Sequence, residues 1–232
     1  MPGIILSLIL IGVISYFWGS LPPGYWMGKL LRGKDFDIRE HGSHKTGATN
    51  VLRTLGVGPA IVVFLLDLSK GVGPALLSRF VPAFQGGGWG ILVAGLLALV
   101  GHCYPIFIGF KGGRGVLTGA GAMLVVSPLT FLIGAITTSS TIFLSRYVSL
   151  GSIVGSITTI VCGIVFYILG VNNPSLLHSI GLTLPEMLFM VIAPTMVILF
   201  HSDNIKRLLS GTERKIGSKK ISTTATDPSN AL

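Results

Sequence analysis

The sequence predicts an all-α, polytopic integral membrane protein of seven transmembrane helices, with its amino terminus outside and its carboxyl terminus cytoplasmic. Composition is the first reason. Charged residues make up 11% of the 232-residue chain, against roughly a quarter in an average soluble domain, while apolar residues reach 50% and mean hydropathy is +0.78. The second is pattern: the apolar residues fall in continuous runs without the alternation of a surface helix or strand. The third is placement of charge. The 17 Lys and Arg against 8 Asp and Glu give a net charge of +9, but the basic residues lie between the apolar runs, where topology and anionic ligands explain them better than nucleic acid.

The elements follow in order. The first run, Gly3 to about Met27, starts without a charged n-region and passes Pro22-Pro23 without a small-residue cleavage signature, so it reads as a retained span. Further runs cover about Leu55–Leu77, Trp89–Phe110, Val116–Leu144, Ile153–Leu169 and Leu184–Phe200. All but Val116–Leu144 have the length of one crossing. Lys29, Arg32, Lys34, Arg39, Lys45 and Arg53 follow the first run, and Lys206, Arg207, Arg214, Lys215, Lys219 and Lys220 follow the last. Both regions are therefore expected on the cytoplasmic side. Two ends on one side require an even number of crossings between them, and Ser127-Pro128 is where a proline divides the long fourth run. Splitting there gives seven crossings and brings the segments around Ser43, Lys111, Arg146 and His201 to one face. The first half, Val116–Val126, is too short at ~1.5 Å per residue to cross ~30 Å of hydrocarbon, so it is expected inside the bundle. Residues 1–215 read as one membrane domain and 216–232, rich in Ser, Thr and Lys, as a disordered tail.

Four polar clusters reach the shared face. Glu40 to Arg53 combines small residues with Asn50 and Arg53 one helical turn apart, suited to an anion-binding loop feeding a helix N-terminus. Gly109-Phe-Lys-Gly-Gly-Arg-Gly115 sets Lys111 and Arg114 around Gly112 and Gly113, a phosphate nest in outline though not a Walker A loop. Arg146 to Ser152 is short and carries hydroxyls. His201 and Asn204 are spaced by three and share a helix face. Each also has a plain structural reading: a common turn, a basic interfacial loop, an anchor with an N-cap, or a solvated interfacial histidine. Asp67, Lys70 and His102 lie within or near apolar spans, where ionisable groups are functional candidates by default; Asp67 and Lys70, three apart, are better read as a pair satisfying itself inside the bundle. His41, His44 and His201 have no acids at ligand spacing, so no metal is expected, and no cofactor.

Taken together the motifs resemble the bacterial PlsY family, membrane glycerol-3-phosphate acyltransferases that use acyl phosphate as donor. The pieces are Gly-Ser-Leu-Pro at 19–22, Gly-Ser…Gly-Ala-Thr-Asn-Val-Leu-Arg at 42–53, Gly-His-x-Tyr-Pro…Phe-Lys-Gly-Gly at 101–113, Arg-Tyr-Val-Ser-Leu at 146–150 and His-x-x-Asn-Ile-x-Arg-Leu-x-x-Gly-Thr-Glu at 201–213. The resemblance implies transfer of a fatty acyl group to the 1-hydroxyl of sn-glycerol 3-phosphate, giving lysophosphatidic acid and phosphate. It implies that neither acyl carrier protein nor coenzyme A thioesters are direct donors. It also assigns catalysis to Ser43, Arg53, Arg114, His201 and Asn204, and substrate or phosphate binding to Asn50, Lys111, Gly112, Gly113 and Ser152. The expected partners are acyl phosphate, glycerol 3-phosphate and membrane lipid, acting on a monomer. An acyl phosphate is already activated, so the protein needs mainly to orient substrates and neutralise charge, and no nucleophile elbow is present.

The chain departs from the family pattern in four places. His44 and Lys45 stand where relatives commonly have glycine and asparagine, Arg114 where a second lysine is usual, and Ser202 where arginine is usual. These leave room for a paralogue with another acceptor. The other readings are a phosphate-ester transporter, which would place its polar site at the bilayer midplane, and a scaffold whose basic tail recruits anionic lipid.

Overall fold

The computed structural model describes residues 2–173 and 182–217. The middle of the 170–183 connection lies outside the described residues, as does the tail read as disordered, apart from residues 216 and 217.

Among the described residues the chain forms α1 (Pro2–Ser20), α2 (Pro23–Arg32), α3 (Ala48–Leu55), α4 (Val57–Phe80), α5 (Gly90–Cys103), α6 (Val116–Val126), α7 (Pro128–Ser145), α8 (Val148–Asn172), α9 (Leu184–Leu199) and α10 (Ser202–Leu209), with 3-10 turns between several of them. Five apolar stretches are long enough to cross a bilayer, 2–32, 57–80, 90–108, 128–145 and 148–172, and a sixth if α9 and α10, bent by 57°, are counted together. Large apolar side chains cover the outside, Phe143 at 83% and Leu144 at 81% exposure among them, while Asp67, Lys70, His102, Thr118 and Thr130 are buried. That inverted distribution suits lipid as the surrounding solvent.

Boundaries follow local chemistry. The first run does not continue smoothly to Met27: Leu21 and Pro22 interrupt it, and α2, which starts on Pro23, is amphipathic and ends in Lys29 and Arg32. Pro22 and Pro23 supply no backbone N–H for an uninterrupted ladder. The fourth run divides at the expected place, where Ser127 is extended and its Oγ accepts from Thr130 N–H at 3.3 Å, capping α7 with Pro128 at its first position. The third ends early, at Cys103, because Tyr104-Pro105 cannot continue the helix. The fifth begins early, at Val148, so that Ser149 and Ser152 belong to the first turns of α8.

Helix crossings are made by small residues. A Cβ at Gly19 would strike the carbonyl oxygen of Ala98, and one at Gly101 that of Tyr16, which is how α1 and α5 come together. On α4 and α6, a Cβ at Gly71 would meet Thr118 O and one at Gly121 would meet Leu68 O. Lipid tails offer no hydrophobic driving force between helices, so close backbone approach of this kind supplies the packing. The short α6 is thereby wedged against α4 inside the bundle. Leu99, Met123, Phe189, Met190 and Ala193 from α5, α6 and α9 fill the centre. A second cluster, Ile38, Val51, Ala60 and Val63, supports the 38–47 loop from below.

Gly71→Ala is expected to push α4 away from α6 and to lower the thermal midpoint of the detergent-solubilised protein, at a cost of about 1–3 kcal/mol. Gly58→Ala, in the same helix with nothing within 4 Å of the added carbon, should leave the midpoint unchanged or slightly raised. Equal behaviour of the two variants would refute the close-approach account.

Candidate active site

The 38–47 loop is built around one side chain. Asn50, 1% exposed, accepts from Ser43 N–H through Oδ1 at 2.7 Å and shares its Nδ2 hydrogens among the carbonyls of Ile38 (3.0 Å), His41 (3.0 Å) and Lys45 (2.8 Å). Its polar atoms are thus spent on the loop. These bonds make Asn50 a pin which shapes the loop presenting Ser43 and Lys45. The loop geometry also bears on His44. It adopts the left-handed conformation (φ 58°) that glycine favours, and its ring Nδ1–H donates to Arg39 O at 2.9 Å, a bond that offsets part of the strain. Arg39 Nη1 donates to Ile108 O at 2.6 Å and joins this loop to the next. Arg53, on α3, is exposed at the rim and its Nη2 donates to Arg214 O at 3.4 Å.

The Gly109–Gly115 segment turns through left-handed Gly109, Phe110 and Gly115. Its glycines do not form the expected nest. Gly112 N–H donates to Cys103 O and Gly113 N–H to His102 O, both at 3.1 Å, so neither amide is available to a phosphate. Their role is close packing: a Cβ on Gly112 would run into His102 O. What the segment does offer is Arg114. Its Nε is buried with no hydrogen-bond partner among the described residues, and burial lowers its pKa from the ordinary value. A buried guanidinium N–H left without an acceptor is unfavourable, and an anion in the adjoining space would satisfy it.

At the bend between α9 and α10, His201 is 3% exposed and donates from Nδ1 to Val197 O at 2.7 Å, leaving Nε2 as the acceptor nitrogen. Lying outside the membrane-spanning α9, it is pushed down to about 4 chiefly by burial, so it is neutral at physiological pH. One turn on, Asn204 donates from Nδ2 to Glu213 Oε1 at 2.9 Å while its Oδ1 stays buried and unpartnered. Glu213 is the residue the site analysis of the sequence passed over. It also accepts from Ser149 Oγ (3.0 Å) and Arg207 Nε (2.7 Å). The available signal was an acid in a segment otherwise basic, at the end of the quoted Gly-Thr-Glu.

These groups enclose one polar cavity of about 290 Å³. Ser43, Asn50, Arg53, Gly113, Arg114, Ser152, His201 and Asn204 all line it, with Lys45, Ser149 and Glu213 beside them. Lys111 and Gly112 do not; they line a wider recess of about 710 Å³ that shares Lys45, Gly113 and Arg114 with the polar cavity. On its other side, the polar cavity shares Phe64, Val116, Leu117, Thr138, Ser139 and Ser152 with an apolar cavity of about 320 Å³ between α6, α7, α8 and α9. Ser152, 5% exposed with its Oγ donating to Val148 O at 3.0 Å, stands at that junction. The arrangement can hold anionic oxygens at one end and an alkyl chain at the other. No group of three or more metal-ligating side chains occurs among the described residues.

Residues 9–211 match the family model described as glycerol-3-phosphate acyltransferase. The glycerol-3-phosphate acyltransferase of Thermoanaerobacter sp. (strain X514) is 38% identical over 211 residues, covering 91% of this chain and 96% of the relative. Those of Synechococcus sp. (strain CC9902) and Clostridioides difficile (strain 630) are each 41% identical, covering 93% of this chain and 98% of the relative. Among solved structures the chain is similar to PlsY (YgiH), described as an integral membrane glycerol 3-phosphate acyltransferase. In its glycerol 3-phosphate form the TM-score is 0.76 at 34% identity, covering 91% of this chain and 96% of that one; in its lysophosphatidic acid form these are 0.74 and 33%, with the same coverage.

Asn50→Asp keeps the acceptor for Ser43 but sets a carboxylate against three carbonyl oxygens. It should cost roughly 1–3 kcal/mol and speed trypsin cleavage after Lys45 relative to the wild type. His201 gives a second expectation. Between its ordinary 6.5 and about 4 the unfolded chain binds a proton that the folded one does not. Its contribution to stability is therefore complete above pH 6.5 and lost as the pH falls toward 4. The thermal midpoint of His201→Gln should decline less steeply than that of wild type across this window.

Proposed function

The chain belongs to the glycerol-3-phosphate acyltransferase family, the PlsY family, and from that premise we propose how its cavities carry out the reaction. It is an integral membrane enzyme that transfers an acyl group to glycerol 3-phosphate, the first step of phospholipid synthesis. The donor proposed is acyl phosphate. Its phosphate lies in the polar cavity against Arg114, Arg53 and Lys45, and its chain runs past Ser152 into the apolar cavity. Glycerol 3-phosphate enters from the wider recess with its phosphate toward Lys111 and Lys45, so that Arg114, in the wall common to both spaces, faces both substrates.

In the reaction the 1-hydroxyl oxygen attacks the acyl carbonyl carbon, the carbonyl–oxygen bond to phosphate breaks, and lysophosphatidic acid and phosphate leave. Neutral His201 accepts the hydroxyl hydrogen bond through Nε2 and orients the nucleophile, while the proton ends on the departing phosphate. Ser43 and Asn204 position oxygens around the reacting centre. No covalent enzyme intermediate is needed, because the mixed anhydride is already activated and the protein supplies orientation and fixed positive charge.

The observation that supports this reading is a pair of buried, unpartnered polar atoms, Arg114 Nε and Asn204 Oδ1, in the wall of a cavity that is polar at one end and continues into an apolar one. The same reading takes residues 1–215 as the catalytic unit, working as a monomer. It takes seven crossings, counting α6, with the amino terminus outside and the site open to the cytoplasm, as the distribution of basic residues suggests.

The test is release of inorganic phosphate by the purified protein from palmitoyl phosphate, with and without glycerol 3-phosphate, while lysophosphatidic acid is followed. Release should require the acceptor and match the lysolipid formed, and palmitoyl coenzyme A in place of palmitoyl phosphate should give no lysophosphatidic acid. Arg114→Ala should lower kcat/KM by about tenfold to a hundredfold, the worth of a charge-assisted bond, with Arg114→Lys intermediate because charge is kept and the planar fork is lost. Wild-type kinetics in a folded Arg114→Ala would remove Arg114 from the site.

A further inference from the structure

A group of ionisable side chains beneath the Gly109–Gly115 segment has no part in the reaction as described. Asp67, Lys70 and His102 are 2%, 3% and 6% exposed, among apolar helices. Lys70 Nζ donates to Asp67 Oδ1 at 2.7 Å and lies 3.2 Å from His102 Nδ1. Thr118 Oγ1 donates to Asp67 O at 3.1 Å and ties the cluster to α6. The expected self-satisfied pair of Asp67 and Lys70 is thus present with a histidine added.

The contacts of Nδ1 favour one tautomer of the histidine. With Lys70 donating across 3.2 Å, Nδ1 is the acceptor and the proton sits on Nε2. The approach of Nδ1 to Asp67 Oδ1, at 3.5 Å, is the longer of its two contacts. The buried polar atoms left unsatisfied do not include Nε2; with no hydrogen bond to a described residue, it is open to the polar cavity that His102 lines. It is pressed against Gly113: a Cβ there would collide with Nε2 itself, and would lie 2.8 Å from Cε1. Both residues line the polar cavity together with Arg114. Glycine at 113 therefore has a further consequence, an opening in the cavity wall through which the imidazole reaches.

We infer that His102 is a further anion-binding residue of this site, donating from Nε2 past Gly113 to a phosphate oxygen in the polar cavity, with Lys70 and Asp67 as the positioning residues that set its tautomer. The inference rests on the acyltransferase reading and deepens it. A donor braced by the Asp67–Lys70 pair adds a directed hydrogen bond next to Arg114.

The experiment uses the full chain in detergent, labelled with 15N-histidine, the His102 ring signals being assigned through His102→Gln. Inorganic phosphate should shift the wild-type His102 Nε2 signal saturably, and the unligated spectrum should show the Nε2–H tautomer. In the acyl-transfer assay, His102→Ala should raise KM about tenfold to a hundredfold for whichever substrate places its phosphate here, glycerol 3-phosphate or palmitoyl phosphate, with a smaller change in kcat. His102→Gln, whose amide can donate from nearly the same position, should recover most of the loss. Lys70→Met should move His102 toward the Nδ1–H form and raise the same KM. Unmoved His102 signals under saturating phosphate would overturn the proposal, and so would wild-type KM values in His102→Ala. If that variant does not fold, the wild-type titration decides alone. A wild type that transfers no acyl group while phosphate still shifts His102 would sink the acyltransferase reading and leave the anion site standing.

Discussion

The polar end of this bundle depends on a single carboxylate. Glu213 accepts hydrogen bonds from Ser149 at the start of α8, from Asn204 on α10 and from Arg207. It gathers these groups from separate stretches of chain around a cavity whose other charged lining is largely basic. Without a fixed anion, the cations at 53, 114 and 207 would repel one another in a poorly solvated space. With it, their field is balanced enough to fold and still unsaturated enough to hold phosphate. The bonds immediately after Glu213 extend the same closure: Arg214 Nη1 donates to Gly42 O and Ile216 N–H to Arg146 O, each at 2.9 Å.

Deeper in the bundle the rules are different. Packing between helices comes from backbone contact at glycines, and the ionisable groups that do occur are paired or turned toward the cavity. The two regimes meet at α6. Its eleven residues are fewer than an upright helical crossing of full bilayer thickness uses, but they bring the Arg114 segment to the level of the cavity and give their sides to the apolar space beside it. A short, glycine-wedged helix is what allows a charged pocket and a chain-binding slot to adjoin.

Much of this was legible in the sequence. The break at Ser127-Pro128, the burial of α6 and the Asp67–Lys70 pair follow from local rules of proline, length and spacing. Ser43, Arg53, Arg114, Ser152, His201 and Asn204, grouped by the resemblance of their motifs, line one cavity. What sequence could not supply was the partner of each polar atom. Gly112 and Gly113 look like a phosphate nest until their amides are found on the carbonyls of 103 and 102, and the part Asn50 plays in shaping the loop shows only once its bonds are counted. Glu213 was missed for the same reason, because its three donors lie up to 64 positions away. The early start of α8 and the interruption of the first run at Pro22 were decided by packing and capping rather than by hydropathy.

The anchoring of Ile216 to Arg146 has a practical side. It fixes residue 216 near Arg53 and the rim of the polar cavity, so a carboxyl-terminal purification handle takes its path from that opening, whereas one joined to the amino terminus starts from the far end of α1.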